Sequence, residues 1–76
     1  MRVQLNSEQQ QMLAQVGISI VPEKDYSEDE VFEIVDQVHD IEVRYAQDAD
    51  TNATAKRLAN VYATIADSIQ NQIPED

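Results

Sequence analysis

Residues 27–47 read SEDEVFEIVDQVHDIEVRYAQ, and apolar side chains recur along them at steps of three and four residues. The positions concerned are Val31, Ile34, Val35, Val38, Ile41 and Tyr45. One stripe with this period is typical of an amphipathic helix, here about 30 Å long. Ser27 and Glu30 have the spacing of a capping box, and acidic residues in the first turn suit the positive end of the helix dipole. The pattern predicts a helix over residues 27–47.

A second apolar stripe with the same period follows over residues 51–73. Its members are Ala55, Leu58, Ala59, Tyr62, Ile65, Ala66, Ile69 and Ile73. Residues 48–52 prefer caps and turns, so they separate the two helices, and Pro74 marks the end of the second one. Two long helices joined by a short turn pack most economically as an antiparallel αα-hairpin.

The segment before residue 27 predicts one short helix and one extended stretch. Residues 7–16 have an apolar face, Asn6 or Ser7 can cap them, and Gly17 supplies a left-handed stop. The β-branched run that follows can pair with the N-terminal segment, residues 3–5 with residues 18–21, as a minor two-stranded element. We therefore predict one all-α domain over residues 1–76, in which a short N-terminal helix closes the open side of a long hairpin.

Charge is the most unusual property of the composition. Fifteen acidic residues against five basic ones give a formal net charge of −10 at pH 7. Such a surface repels nucleic acid and anionic lipid, and favours cationic protein partners or simple solubility. The first residues lack the apolar core of a signal peptide, and no apolar run is long enough to span a bilayer. We expect a cytoplasmic protein that binds neither nucleic acid nor membranes directly.

Three patterns resemble metal sites but lack decisive ligands. The spacing of residues 48–54 imitates a calcium loop, yet Ala53 and Ala59 stand where glycine and a bidentate glutamate are needed. Glu30, Glu33 and Asp36 imitate magnesium-binding carboxylates, for which the next helix offers no matching set. The single histidine has too few potential co-ligands for a zinc or di-iron site. We expect no metal, no cofactor, no small-molecule substrate and no enzymatic activity.

Four acids share the outer side of the predicted helix over residues 27–47. At about 100° per residue, Asp29, Glu33, Asp36 and Asp40 fall within roughly 60° of one another. We call them the acidic face. Their like charges destabilise the helix slightly, and no lysine lies between them. The acidic face is either a solvated surface that confers solubility or a surface that presents phosphate-like charge to a basic groove.

A second group widens the apolar arc of the same helix. Phe32, His39 and Val43 lie beside the main stripe rather than on it, and we call them the apolar shoulder. Either the N-terminal helix or residues 18–22 cover it, or it binds a second copy or another protein. Our first hypothesis is a non-catalytic, self-associating interaction module. The alternative is an acidic inhibitor that mimics nucleic acid in the basic groove of a DNA- or RNA-handling protein.

One resemblance covers most of the chain. The segments LNSEQ (residues 5–9), DYSEDE (residues 25–30) and ADSI (residues 66–69), with Thr51 before the last helix, resemble a group of small, acidic, uncharacterised helical proteins of Gram-positive bacteria. The resemblance implies a bacterial helical protein. It implies no activity and no site residues.

Overall fold

The structure is a computed structural model that describes residues 1–73 and contains three helices. These are α1 (Ser7–Gln15), α2 (Glu28–Asp48) and α3 (Ala53–Gln70). Helices α2 and α3 pack closely along their length, as the predicted hairpin requires. The predicted all-α fold is confirmed. Helix α3 is shorter than the predicted 51–73 at both ends, because residue 51 belongs to the turn and Asn52 is the cap, while residues 71–73 form turns. Pro74, the expected end, lies outside the described residues.

Side chains at the three helix starts explain where the helices begin. Asn6 caps α1 in a reciprocal capping box with Gln9, and Ser27 caps α2 in the same way with Glu30. Asn52 caps α3 by accepting hydrogen bonds from the backbone N–H groups of residues 54 and 55. Each cap satisfies donors that the first turn of a helix leaves free. The short turn between α2 and α3 therefore ends in a cap.

The core lies between α2 and α3, where both predicted stripes meet. It is completed by side chains from α1 and from the segments on either side of α1. Its buried members are Val3, Leu13, Ile18, Ile20, Tyr26, Val31, Val35, Val38, Tyr62, Ile65, Ala66 and Ile69. The rings of Tyr45 and Tyr62 stack with their centroids 5.8 Å apart, and so join the two long helices. Both stripes occupy the positions that their period predicted.

Helix α1 ends in a left-handed glycine motif. Gly17 has φ +82°, its N–H donates to the carbonyl of Ala14, and the N–H of Ile18 donates to the carbonyl of Leu13. These two bonds form a Schellman motif, and Leu13 and Ile18 are both buried beside it. The glycine stop after α1 is therefore as predicted.

The predicted strand pairing of residues 3–5 with residues 18–21 is wrong: no strand occurs within residues 1–73. The backbone groups of the N-terminal segment bond elsewhere. Met1 and Tyr26 exchange two hydrogen bonds, of 2.6 and 2.7 Å. The side-chain amide of Gln72 accepts from the N–H of Gln4 at 2.7 Å and donates to its carbonyl at 2.8 Å. The side-chain amide of Gln72 therefore makes the two backbone hydrogen bonds that a neighbouring strand would make with Gln4.

Candidate interaction surface

Helix α2 presents three different sides to its surroundings. One side carries Val31, Val35 and Val38, which are buried in the hairpin core. A second side meets the end of α1, where Val16, the residue that directly follows α1, borders the same surface depression as Ile41 of α2. At about 100° per residue, the third side is turned away from α3. This third side carries the apolar shoulder and, next to it, the acidic face, of which Asp40 borders a depression shared with residues 16–18.

The apolar shoulder is exposed. Phe32 retains 47% of its accessible surface and Val43 retains 54%, while the side chain of His39 retains 47%. Helix α3 packs along the core side of α2, and residues 16–18 border a depression on another flank of α2, beside Gln37 and Ile41. Within residues 1–73 the apolar shoulder is therefore left about half exposed. Phe32 and Val43 lie about 16 Å apart along the helix axis.

The shoulder is not uniformly apolar. The Nδ1 atom of His39 lies 3.4 Å from the Oε2 atom of Glu42, one turn further along α2. Asp36 lies between Phe32 and His39 on the same side of the helix, because its phase differs from theirs by only about 40–60°. Polar groups thus lie at the centre of the shoulder, and the two large apolar side chains lie at its ends.

All four residues of the acidic face are exposed. The ion pairs within residues 1–73 are Met1–Asp25 and Lys24–Glu30, and the imidazole of His39 lies beside Glu42. None of these pairs includes a residue of the acidic face. Its members, Asp29, Glu33, Asp36 and Asp40, therefore form a continuous band of carboxylates facing solvent.

The residues of the suspected metal patterns have structural roles or lie apart. The side-chain oxygen of Asn52 is occupied by its capping bonds, and Glu30 accepts a hydrogen bond from the backbone N–H of Ser27 at 3.1 Å. That bond is the main cause that lowers the pKa of Glu30 from its ordinary value of 4.5. Within residues 1–73 no three acidic or histidine side chains converge as metal ligands.

Sequence reasoning missed one exposed apolar side chain. Val21 retains 47% of its surface, the same fraction as Phe32. The alternation in residues 18–21 could have indicated this, because Ile18 and Ile20 are buried and the residue after Ile20 faces the other way. Val21 lies on the segment before α2, so it serves below as a matched control for Phe32.

Comparisons with known protein families, with curated proteins and with solved structures found no match to this chain. None of the helices described in residues 1–73 has the length and hydrophobicity needed to cross a membrane. The exposed residues of α2 are the feature on which a functional proposal can be based.

Proposed function

We propose that this protein is a non-catalytic interaction module that self-associates through the apolar shoulder of α2. The observation that supports it is the exposure of Phe32 and Val43, two large apolar side chains on one side of a long helix. Apolar side chains grouped on one helix face are typical of protein–protein contacts. The chain has one histidine, one glycine and no cysteine, so it contains few of the residue types that are common in catalytic sites.

The exposed area indicates a weak association. Complete burial of a phenylalanine or valine side chain contributes about 1.5–3 kcal/mol. Phe32 and Val43 are each about half buried in the fold, so about half of this free energy remains to be gained on association. A symmetric dimer buries two of each, so the apolar contribution is about 4 kcal/mol. This only matches the lower bound of the entropic cost of association, roughly 4 kcal/mol. The apolar contacts alone therefore give no net affinity, and a dissociation constant in the millimolar range needs about 4 kcal/mol more from polar contacts across the interface.

Sedimentation velocity from about 10 to about 500 µM tests self-association. We expect the average mass to rise with concentration, and we expect Phe32→Ser and Val43→Ser each to weaken association at least about tenfold. Val21→Ser is the matched control, since it removes an equally exposed side chain outside α2 and should change nothing. A wild-type protein that stays monomeric throughout, or equal effects of Val21→Ser and Phe32→Ser, would contradict the proposal.

A second function is favoured by the unpaired acidic face: occupation of a basic groove in a DNA- or RNA-handling protein. Arrays of lysine and arginine that bind phosphates also accept carboxylates at similar spacing. The two functions respond oppositely to salt. Screening weakens binding to a basic groove, but it strengthens contact between two copies that each carry a formal charge of −10. Affinity capture from lysate at low salt, with and without Asp29→Asn and Glu33→Gln, tests this function.

A further inference from the structure

We propose that two copies meet through α2 in an antiparallel, two-fold symmetric arrangement, with Phe32 packed against the partner's Val43. This inference rests on the self-association proposed above and specifies its geometry. In a two-fold interface each contact occurs twice, with the two residues exchanged between copies. The symmetry axis then passes beside the middle of α2, between Gln37 and Val38.

The same alignment pairs the polar groups at the centre of the shoulder. Asp36 and His39 lie at equal distances from the axis on its two sides, and Phe32 and Val43 do the same further out. Placing Phe32 opposite the partner's Val43 therefore also places Asp36 opposite the partner's His39. Two such acid–imidazole contacts form, one on each side of the axis. A histidine protonated on both ring nitrogens donates to two carboxylates, so in its charged form His39 satisfies both Glu42 of its own helix and the partner's Asp36.

His39 is oriented suitably for this contact. Its Nδ1 atom faces Glu42 of the same helix at 3.4 Å, so the Nε2 atom lies on the other side of the ring. With 47% of its side chain exposed, the ring can present that nitrogen to a neighbouring chain. Glu42 therefore acts as a positioning residue, and the carboxylate of the partner's Asp36 supplies the second acceptor.

A parallel arrangement lacks this complementarity. It places Asp36 against the partner's Asp36 and brings the acidic first turns of both α2 helices together. Like charges directly opposed across an interface are unfavourable, whereas opposed helix dipoles favour the antiparallel arrangement. An antiparallel alignment centred on His39 separates Phe32 from Val43 and opposes the two imidazoles. Charge complementarity therefore selects both the direction and the register of the contact.

Distances between spin labels test the arrangement, and the cysteine-free chain allows single labels at chosen positions. In the proposed dimer, the nitroxides at Gln47→Cys of the two copies lie about 28 Å apart along the helix axis. In a parallel dimer they lie within about 15 Å of each other. A nitroxide at Asp40→Cys gives a short axial separation, about 8 Å, and reports dimer formation in either case. A long Gln47 distance with a short Asp40 distance supports the proposal.

A charge exchange tests the central contact. We expect His39→Asp to weaken association about tenfold, because it opposes two carboxylates at each of the two contacts. Adding Asp36→His should restore affinity to within about threefold, since the exchanged residues face each other again. A short Gln47 distance, or no restoration in the double variant, overturns the arrangement while leaving self-association intact. A monomer at every concentration overturns both proposals.

Discussion

The hydroxyl of Tyr62 forms the polar link between α3 and α1, and its removal should destabilise the fold measurably. Tyr62 is 1% exposed, and its hydroxyl donates to the carbonyl of Met12 at 2.8 Å. In a continuing helix the N–H of Val16 would donate to the carbonyl of Met12, but it donates to the carbonyl of Leu13 instead. Burial, and to a lesser degree Tyr45, raise the pKa of Tyr62, so the hydroxyl keeps its proton.

The size of the expected loss of stability follows from the carbonyl group that the substitution leaves without a hydrogen-bond donor. Tyr62→Phe removes one hydrogen bond but keeps the ring and its stacking on Tyr45. It leaves the carbonyl of Met12 without its donor in a part-buried position, which costs about 1–2 kcal/mol. For a domain of this length that corresponds to a fall in Tm of about 5–15 °C. We expect the loss to appear first as increased hydrogen exchange in α1.

Thermal and urea unfolding followed by circular dichroism measure this change at low concentration, where association contributes little. Tyr45→Phe is the matched control: within residues 1–73 the hydroxyl of Tyr45 makes no hydrogen bond, so its removal should shift Tm by less than about 2 °C. Equal shifts for the two variants would refute the reasoning, because they would show that the contact with Met12 contributes nothing.

Three further predictions concern single features of the fold. Gly17→Ala should destabilise by about 1 kcal/mol in urea unfolding, since the added methyl meets no neighbour but φ is +82°. The pKa of Glu30 is lowered in the folded state, so its stabilising contribution is present above the ordinary value of 4.5 and is lost as pH falls from there through the lowered pKa; Glu30→Gln should flatten this part of the pH–stability curve. Glu33→Gln with Asp40→Asn should leave α2 intact and raise stability by a few tenths of a kcal/mol, whereas Ile65→Ala should cost about 2–5 kcal/mol.

Features specified by neighbouring residues could be predicted from the sequence. The capping box of Ser27 and Glu30 depends on residues three positions apart, and the stripes of α2 and α3 depend on a period of three to four. Both follow from the geometry of a single helix and need no knowledge of the fold. The helices and the hairpin were predicted for this reason. The end of α3 was placed too late, because Ile73 continues the period although its segment turns.

Features specified by distant residues could not be predicted. The partner of Gln4 is the side chain of Gln72, which no rule of strand pairing could indicate. The exposure of Phe32 depends on which flank of α2 receives α1, and the contact of Tyr62 with Met12 helps to fix that choice. The period of α2 showed that the apolar shoulder lay beside the core stripe. Only the positions of the other elements within residues 1–73 show that the shoulder stays about half exposed.

The apolar shoulder and the acidic face adjoin on α2, so contact through one changes the other. In the proposed dimer the two-fold axis is perpendicular to the paired helices. The acidic faces of the two copies therefore lie on the same side of the dimer. The proposed dimer thus joins the acidic faces of the two copies into one surface, at whose inner edge Asp36 of each copy contacts the partner's His39. This costs repulsion between the acidic faces, so a cationic partner that neutralises them binds the dimer more tightly than the monomer. By linkage, the same partner strengthens self-association by an equal factor. In the proposed dimer, self-association and binding to a basic partner would therefore be coupled through one helix.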